Sequence, residues 1–428
     1  MGKQNVAVIL AAGKGTRMKS ELSKVLHKIY DKTLLGYVID AVNKTGMIKE
    51  SYVIVGHQAD AVKAFVDITY DNAKTVLQSP QLGTGDAVSK VCPDLENFNG
   101  NVIVLCGDTP LITSDTLKKF VEFHNSNASD ITVMSAMFDN PTNYGRIVRT
   151  DGKLDSIVEE KDATAEQKLI KEINAGIYCL DWQKVKPAFS QLTSNNAQGE
   201  YYLTDIIAWG KKTGLNTNAY ILENNEEIYG INSKVNLAEA SKMLNKRTVT
   251  KLMTEGVTIV DPDTVWISDE TTIGADTIIY PNVFINGKNK IGKGCKIGPF
   301  AHLRGGVETG NGVKIGNFVE IKKSKIADNT NVCHLSYIGD SELGSHVNIG
   351  AGTITANYNH YTKKKNRTII YDGASTGSNS VIVAPVEIGE QASVAAGSVI
   401  TKDIEPKALA ITRSPLKILS NYIQKYFK

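Results

Sequence analysis

From Ile267 onward an aliphatic residue returns at every sixth position: Ile267, Ile273, Ile279, Ile285, Ile291, Ile297 and Leu303, then, across Thr309, Ile315 and Ile321. The phase slips by one at Ile326, runs through Val332 and Ile338, and slips again to Leu343 and Ile349. After an interruption it resumes as Ile370, Thr376, Ile382, Ile388, Val394 and Ile400. Neither the helical period of 3.6 nor the strand period of 2 produces this spacing. A period of six fits a parallel β-helix, in which each side of a coil buries one aliphatic residue before a tight corner. Glycine often follows the aliphatic position, as at Gly274, Gly292, Gly298, Gly316, Gly339, Gly344, Gly350, Gly377 and Gly389. Residues 355–369 break the pattern. A regular solenoid has no structural use for such an ejected loop, so its Asn, Tyr and Lys content is read as functional.

The first half of the chain is patterned differently. Val6–Leu10, Tyr52–Val55, Val102–Leu105, Ile131–Ser135 and Ile177–Leu180 read as strands, most with amphipathic helices between them, which predicts a mainly parallel sheet covered on both faces. Ligands of such sheets bind beyond the carboxyl ends of the strands. Ser233 reads as an N-cap and Gly256 as the residue ending a helix, with Leu237, Met243, Leu244, Thr248, Leu252 and Met253 at roughly helical spacing. The expected organisation is therefore an α/β domain over residues 1–232, a connecting helix over 233–256 and a β-helix over 257–428. A length of 428 residues is ample for two cores.

Composition narrows the function. Forty-eight basic against 45 acidic residues give a net charge of +3, and the only notable basic run is Lys363-Lys364-Lys365. That balance argues against a nucleic-acid partner. The longest apolar run near the N-terminus, Val6–Ala12, is far short of the ~20 residues of a membrane span. Five cysteines, at 92, 106, 179, 295 and 333, show no CxxC spacing. A zinc site or disulfide framework is not expected, and a cytoplasmic location is.

Val6–Leu10 runs into Ala11-Ala12-Gly13-Lys14-Gly15-Thr16-Arg17-Met18, with Lys24 beyond. Small residues let backbone amides approach an anion, and Arg17 and Lys24 supply charge for phosphate oxygens. A glycine-rich turn alone is weak evidence, and this one matches neither the Walker A nor the dinucleotide pattern. The whole string, followed by Lys24-Val25-Leu26-His27, resembles the sugar-nucleotide pyrophosphorylase (nucleotidyltransferase) family. Further matches come in family order: Val55-Gly56-His57, Gln78 before Leu82-Gly83-Thr84, Cys106-Gly107-Asp108, Tyr144-Gly145-Arg146-Ile147, Glu159-Glu160-Lys161-Asp162, Ile173-Asn174-Ala175-Gly176, Gly199 to Asp205 and Gly230-Ile231-Asn232. With the β-helix attached, nearly the whole chain resembles the bacterial bifunctional N-acetylglucosamine-1-phosphate uridyltransferase/glucosamine-1-phosphate acetyltransferases. Gly85-Asp86, Ser23, Gly305 and Ser375 depart from the residues usual there.

The resemblance implies a Rossmann-like nucleotidyltransferase sheet, a left-handed β-helix, Mg²⁺, UTP and acetyl-CoA as co-substrates, and a homotrimer. It implies that Asp108 and Asn232 hold the metal, while Arg17 and Lys24 neutralise the triphosphate and the reacting phosphorus. Leu10, Ala11, Ala12, Gly13, Gln78, Gly83, Thr84 and Gly107 would then line the uridine nucleotide, and Gly145, Glu159 and Asn174 the N-acetylhexosamine. In the β-helix it implies His334 as the base for acetyl transfer, with Arg304, Lys322, Tyr337 and Asn348 on glucosamine-1-phosphate. Ala351, Asn357, Tyr358, Ser378, Ala396 and Arg413 would line the acetyl-CoA groove. Two readings stay open beside this one: a monofunctional nucleotidyltransferase with a structural β-helix, and a non-catalytic trimeric scaffold.

Overall fold

The computed structural model describes residues 3–426 and divides into two compact units, Met1–Ser241 and Lys242–Lys428. In the first unit, strands β1 (Gln4–Leu10), β2 (Ile48–Val55), β3 (Ala73–Leu77), β4 (Gly100–Cys106), β5 (Ile131–Met137), β6 (Arg146–Thr150), β7 (Lys153–Val158), β8 (Glu172–Asp181) and β9 (Thr217–Ile221) form one sheet. Its main order is β9-β5-β8-β4-β1-β2-β3. The pairs β1–β2, β1–β4, β2–β3 and β5–β9 are parallel, whereas β8 runs antiparallel to both β4 and β5. Helices α1 (Leu34–Lys44), α2 (Ala59–Thr69), α3 (Thr84–Ser89), α4 (Ser114–Ser126) and α5 (Asp205–Lys212) accompany it. Because both faces are covered, β1 and β4 are aliphatic runs rather than alternating ones, and Val6 and Val8 enter one core while Ala7 and Ile9 enter the other.

Helix α6 (Lys234–Thr254) starts at Ser233, whose hydroxyl accepts from the Asn236 amide at 3.1 Å, and stops before Gly256 at φ +95°. Its buried positions are Ala240, Leu244, Asn245, Thr248, Val249 and Leu252, whereas Met253 is exposed. The division between the two compact units falls inside this helix.

The second unit is a solenoid of three parallel sheets. Up to the last strand, each pairs with the strand three further along the chain, as Trp266 with Phe284 and Phe284 with His302, a step of 18 residues. Past Ile321 the step shortens to 17, which is the phase slip seen in the repeat, and across the ejected loop it becomes 27. The hexad residues fill a single core from Ile267 to Ile400.

The glycines after the hexad residues answer a stacking constraint. A Cβ on Gly292 would lie 2.1 Å from the Gly310 carbonyl oxygen, and one on Gly316 would lie 2.0 Å from that of Cys333. Neighbouring coils are about 4.8 Å apart, so a side chain pointing along the axis meets the next backbone. Thr309 and Thr376, the polar members of the repeat, are buried and accept from the amides of Gly292 and Gly350 at 3.1 and 3.0 Å.

Away from the strand ends that form the candidate site, His124 on α4 is buried with Nδ1 2.8 Å from the Thr132 hydroxyl. Burial, aided by the charge of Lys3, pushes its pKa down to about 4, with Asp181 and Asp130 opposing. The folded protein keeps it neutral where the unfolded chain, near 6.5, binds a proton. Stability should therefore be level above about pH 6.5 and fall between 6.5 and 4, by up to roughly 3 kcal/mol from this group. Denaturant titrations across that range should show His124→Gln with a shallower slope than the parent.

Candidate active sites

β1 and β4 pair residue for residue from Gln4–Gly100 to Leu10–Cys106, so the two strands end level with each other. The Gly107 amide donates to the Leu10 carbonyl at 2.9 Å, which ties the two exit turns together. A cavity of about 480 Å³ opens there. Of the expected residues it is lined by Leu10, Ala11, Ala12, Gly13, Lys24, Gln78, Gly83, Thr84 and Asp108. Lys14, Gln81, Glu200 and Cys106 also line it, without having been singled out from sequence. Lys14, Cys106 and Glu200 sat in quoted motifs, but nothing in their spacing marked them as facing a ligand.

Two glycines shape this cavity. Gly15 has φ +58°, and a Cβ there would meet the Lys24 Cβ at 2.8 Å, so only glycine lets the lysine stem pass under the turn. Gly83 has φ +120°, and a Cβ would stand 2.6 Å from the Tyr201 carbonyl oxygen. The Lys24 ammonium forms an ion pair with Asp108 Oδ2 and donates to Asn232 Oδ1 at 3.0 Å. Three residues far apart in sequence thus meet at one point. Arg17 is exposed on the Thr16–Met18 turn and is not among the lining residues. The Cys106 thiol is pushed up to about 12, by burial first and then by Asp108.

Gly145, Glu159 and Asn174 come together beside β8. The Asn174 amide donates to the Gly145 carbonyl at 2.9 Å, and a Cβ on Gly145 would lie 3.4 Å from Glu159 Oε2. Burial raises the Glu159 pKa, with Asp162, Asp205 and Glu200 adding to it. Its neighbours in the acidic motif are structural. Glu160 pairs with buried Arg146 at 2.7 Å, Lys161 donates to Gln198 at 2.9 Å, and Asp162 accepts from the Ala197 amide at 2.9 Å.

In the solenoid the registers Val332–Ile349, Ile349–Thr376 and Thr376–Val394 place the residues two further on at one corner of four successive coils. Those residues are His334, Ala351, Ser378 and Ala396. Their backbones confirm the column: Gly352 donates to the His334 carbonyl at 3.1 Å, Asn379 to Ala351 at 2.7 Å and Gly397 to Ser378 at 2.8 Å. The His334 side chain is exposed and shows no hydrogen bond among the described residues. The side chains above it on this corner, Ala351, Ser378 and Ala396, are all small.

A basic cluster lies at the other end of the next side of the coil. Leu303 pairs with Ile321, which sets Arg304 and Lys322 on adjacent rungs. The Lys322 pKa lies below the ordinary lysine range, through Lys365 first and then Arg304. Arg304, Lys322 and Lys365 crowd here beside two carboxylates, Glu320, which pairs with Arg304 at 2.8 Å, and Asp340, and the excess of positive charge suits a phosphate. Asp340 accepts from Asn357 and lies 3.6 Å from Lys365, which ties the base of the ejected loop to the cluster. The loop closes as a short ladder with Tyr358 opposite Lys365. A Cβ on Gly339 would touch both the Tyr337 hydroxyl and the Asn357 amide, so those two groups share one spot. Asn348 pairs with Asn331 on the preceding side, and Arg413 is exposed just after Thr412, whose amide donates to Ser398.

The Nucleotidyl transferase family matches residues 6–230, and the Bacterial transferase hexapeptide (six repeats) family matches residues 290–323. The chain is 43% identical to the Bifunctional protein GlmU of Shouchella clausii, over 98% of each chain. It is 44% identical to that of Caldanaerobacter subterraneus over 99% of this chain and 98% of the relative, and 44% identical to that of Heliobacterium modesticaldum over 99% of each. The first of these alignments spans 453 positions, more than the 428 residues present, so the chain carries deletions relative to that protein.

Because Gly83 combines left-handed backbone with contact against the Tyr201 backbone, Gly83→Ala should destabilise the protein by about 1–3 kcal/mol. Equilibrium denaturation measures this directly, and Gly13→Ala, which meets nothing within 4 Å, serves as the control expected to fold like the parent.

Proposed function

The chain belongs to the family of the bifunctional GlmU proteins, and from that premise we propose which of its residues carry each of two reactions. It is a bifunctional enzyme of UDP-N-acetylglucosamine synthesis. One reaction transfers an acetyl group from acetyl-CoA to glucosamine-1-phosphate. The other transfers uridylyl from UTP to N-acetylglucosamine-1-phosphate and releases pyrophosphate. Relatives alike over the full length, with both halves matched, do not favour the monofunctional and scaffold readings. We assign uridylyl transfer to residues 1–232, the connecting helix to 233–256 and acetyl transfer to 257–428.

The observation that carries the first assignment is the meeting of Lys24, Asp108 and Asn232 at the cavity. Asp108 and Asn232 already direct one oxygen each at a single cation, the Lys24 ammonium. One carboxylate and one amide oxygen suit a hard cation such as Mg²⁺, which keeps water and takes phosphate oxygens for the rest. Among the described residues no group of three or more His, Cys, Asp or Glu could hold a metal alone, consistent with a site completed by the nucleotide. Bound there, Mg²⁺ would neutralise phosphate charge. Lys24 then turns to the α-phosphate, where the sugar phosphate oxygen attacks in line and pyrophosphate leaves. Little proton transfer is needed, so positioning and charge do the work. Ala12, Gly13, Gln78, Gly83 and Thr84 take the uridine, with Leu10, Ala11 and Gly107 as the floor. Gly145, Glu159 and Asn174 hold the N-acetylhexosamine, and Arg17 reaches the triphosphate from the rim.

For acetyl transfer, the His334 imidazole takes a proton from the sugar amine as its nitrogen attacks the thioester carbonyl and CoA leaves as the thiolate. Arg304, Lys322 and Tyr337 hold the sugar phosphate and Asn348 the sugar. The corner of Ala351, Ser378 and Ala396, with Asn357, Tyr358 and Arg413, takes acetyl-CoA. A trimer is supported by Phe300 and Phe318, both at φ +56°, stacked 5.1 Å apart and about half exposed. The positive φ belongs to the coil corner, which Asn282, Leu335 and Asn379 share, and the uncovered aromatic faces suit burial against another copy of the chain. Five free thiols fit a cytoplasmic setting, and no helix among the described residues is long and apolar enough to cross a membrane.

Asp108→Ala should lower UDP-sugar formation by at least ~10²-fold while sparing acetyl transfer, and His334→Ala should lower acetyl transfer by about 10²–10⁴-fold while sparing UDP-sugar formation. Assays omitting one substrate at a time read the two separately. Loss of both activities in either variant would refute the division of labour.

A further inference from the structure

Asp86 is absent from the roles above, yet its side chain is only 10% exposed and both its oxygens are engaged. Oδ1 holds Lys90 at 2.8 Å, and Oδ2 accepts from Gln78 Nε2 at 2.8 Å. The same Gln78 nitrogen donates to the Gly83 carbonyl at 3.0 Å. Both neighbours of this end of the amide, a carboxylate and a carbonyl, can only accept, so the NH₂ group must lie there. Its two protons are then used up. Gln78 lines the cavity, and its Oε1 makes no hydrogen bond among the described residues. The cavity is offered an acceptor at this position and no donor.

We propose that Asp86 is a positioning residue that fixes the Gln78 amide with its oxygen toward the base, and so sets the preference for a uracil over a cytosine nucleotide. This rests on reading the cavity as the nucleotide site. Uracil carries an N3–H donor that satisfies Oε1. Cytosine carries a lone pair at N3, which would face the Gln78 oxygen with neither group satisfied. A site built around a hydrogen bond rejects an analogue lacking it far more strongly than an apolar pocket rejects a change of size. The fixing group matters because an unrestrained amide can turn over and present either end.

The test is the ratio of kcat/KM for UTP to that for CTP, measured on the full chain with N-acetylglucosamine-1-phosphate and Mg²⁺. Asp86→Asn keeps shape but leaves one acceptor oxygen for two donors. Lys90, a cation, claims it, and the new amide then faces Gln78 with its own NH₂. The UTP/CTP ratio should fall about tenfold or more, with CTP turnover gained as UTP turnover is lost. Gln78→Leu is assayed beside it and should depress UTP use. If Asp86→Asn lowers both nucleotides by the same factor, or leaves the ratio unchanged while Gln78→Leu depresses UTP use, the role of Asp86 is refuted. If Gln78→Leu leaves UTP use intact, the reading of the cavity as the base site fails instead. Thermal unfolding of each variant separates misfolding from a change of selectivity, and a folded variant with a parental ratio overturns the proposal.

Discussion

A coil of the solenoid cannot be placed without meeting the backbone of the next one, and this close approach governs the second half of the chain. It excludes side chains at Gly292, Gly316, Gly350 and Gly377, where a Cβ would stand 2.0–2.4 Å from neighbouring backbone atoms. It also sets every hexad residue above another hexad residue, so the core is a stack of like on like. The same stacking copies whatever else occurs at a given register. A small residue recurs at one corner over three coils, at Ala351, Ser378 and Ala396, and a cation recurs on two rungs, at Arg304 and Lys322. Function here follows from one-dimensional order rather than from a cavity enclosed by loops.

The first half solves the same problem of bringing distant residues together by strand alignment. β1 and β4 end level because their register never slips, so the glycine-rich turn after Leu10 and Asp108 leave the sheet side by side. Asn232 arrives from the far end of the unit and still shares a cation with Asp108. A carboxylate and a lysine in contact at a half-enclosed site each reduce the desolvation cost of the other.

Much of this was legible in the sequence, and the exceptions have a physical pattern. The hexad period announced the solenoid because the period is local and each coil repeats it. The phase slips at Ile326 and Leu343 were likewise visible, and they correspond to coils of 17 residues. The reason for the glycines was not visible: tight corners suggested backbone freedom, whereas at Gly292 and Gly316 the demand is for space against the next coil. Thr309 and Thr376 looked like defects in the repeat until their hydroxyls were seen to accept from glycine amides. In the first unit, a motif such as Glu159–Asp162 reads as one acidic cluster. Only the fold separates Glu159, which faces Gly145, from Glu160, which binds Arg146. Asp86 was conspicuous as a departure, but its partners Gln78 and Lys90 take their meaning from geometry no spacing encodes.

The deletions relative to the aligned relative bear on the proposed acetyl-transfer column through the same stacking rule. A solenoid that loses whole hexads keeps its register, because each coil contacts only its neighbours. The proposed chemistry requires an unbroken run of coils at the column itself. From Asn317 to Ala410 the pairing proceeds without a missing rung, through His334, Ala351, Ser378 and Ala396, and the one long step is the ejected loop that delivers Asn357 and Tyr358. A shortening elsewhere in the stack therefore leaves this column whole. The length of such a β-helix is free to vary where it only spaces, and it is held fixed where four corners must stand in line.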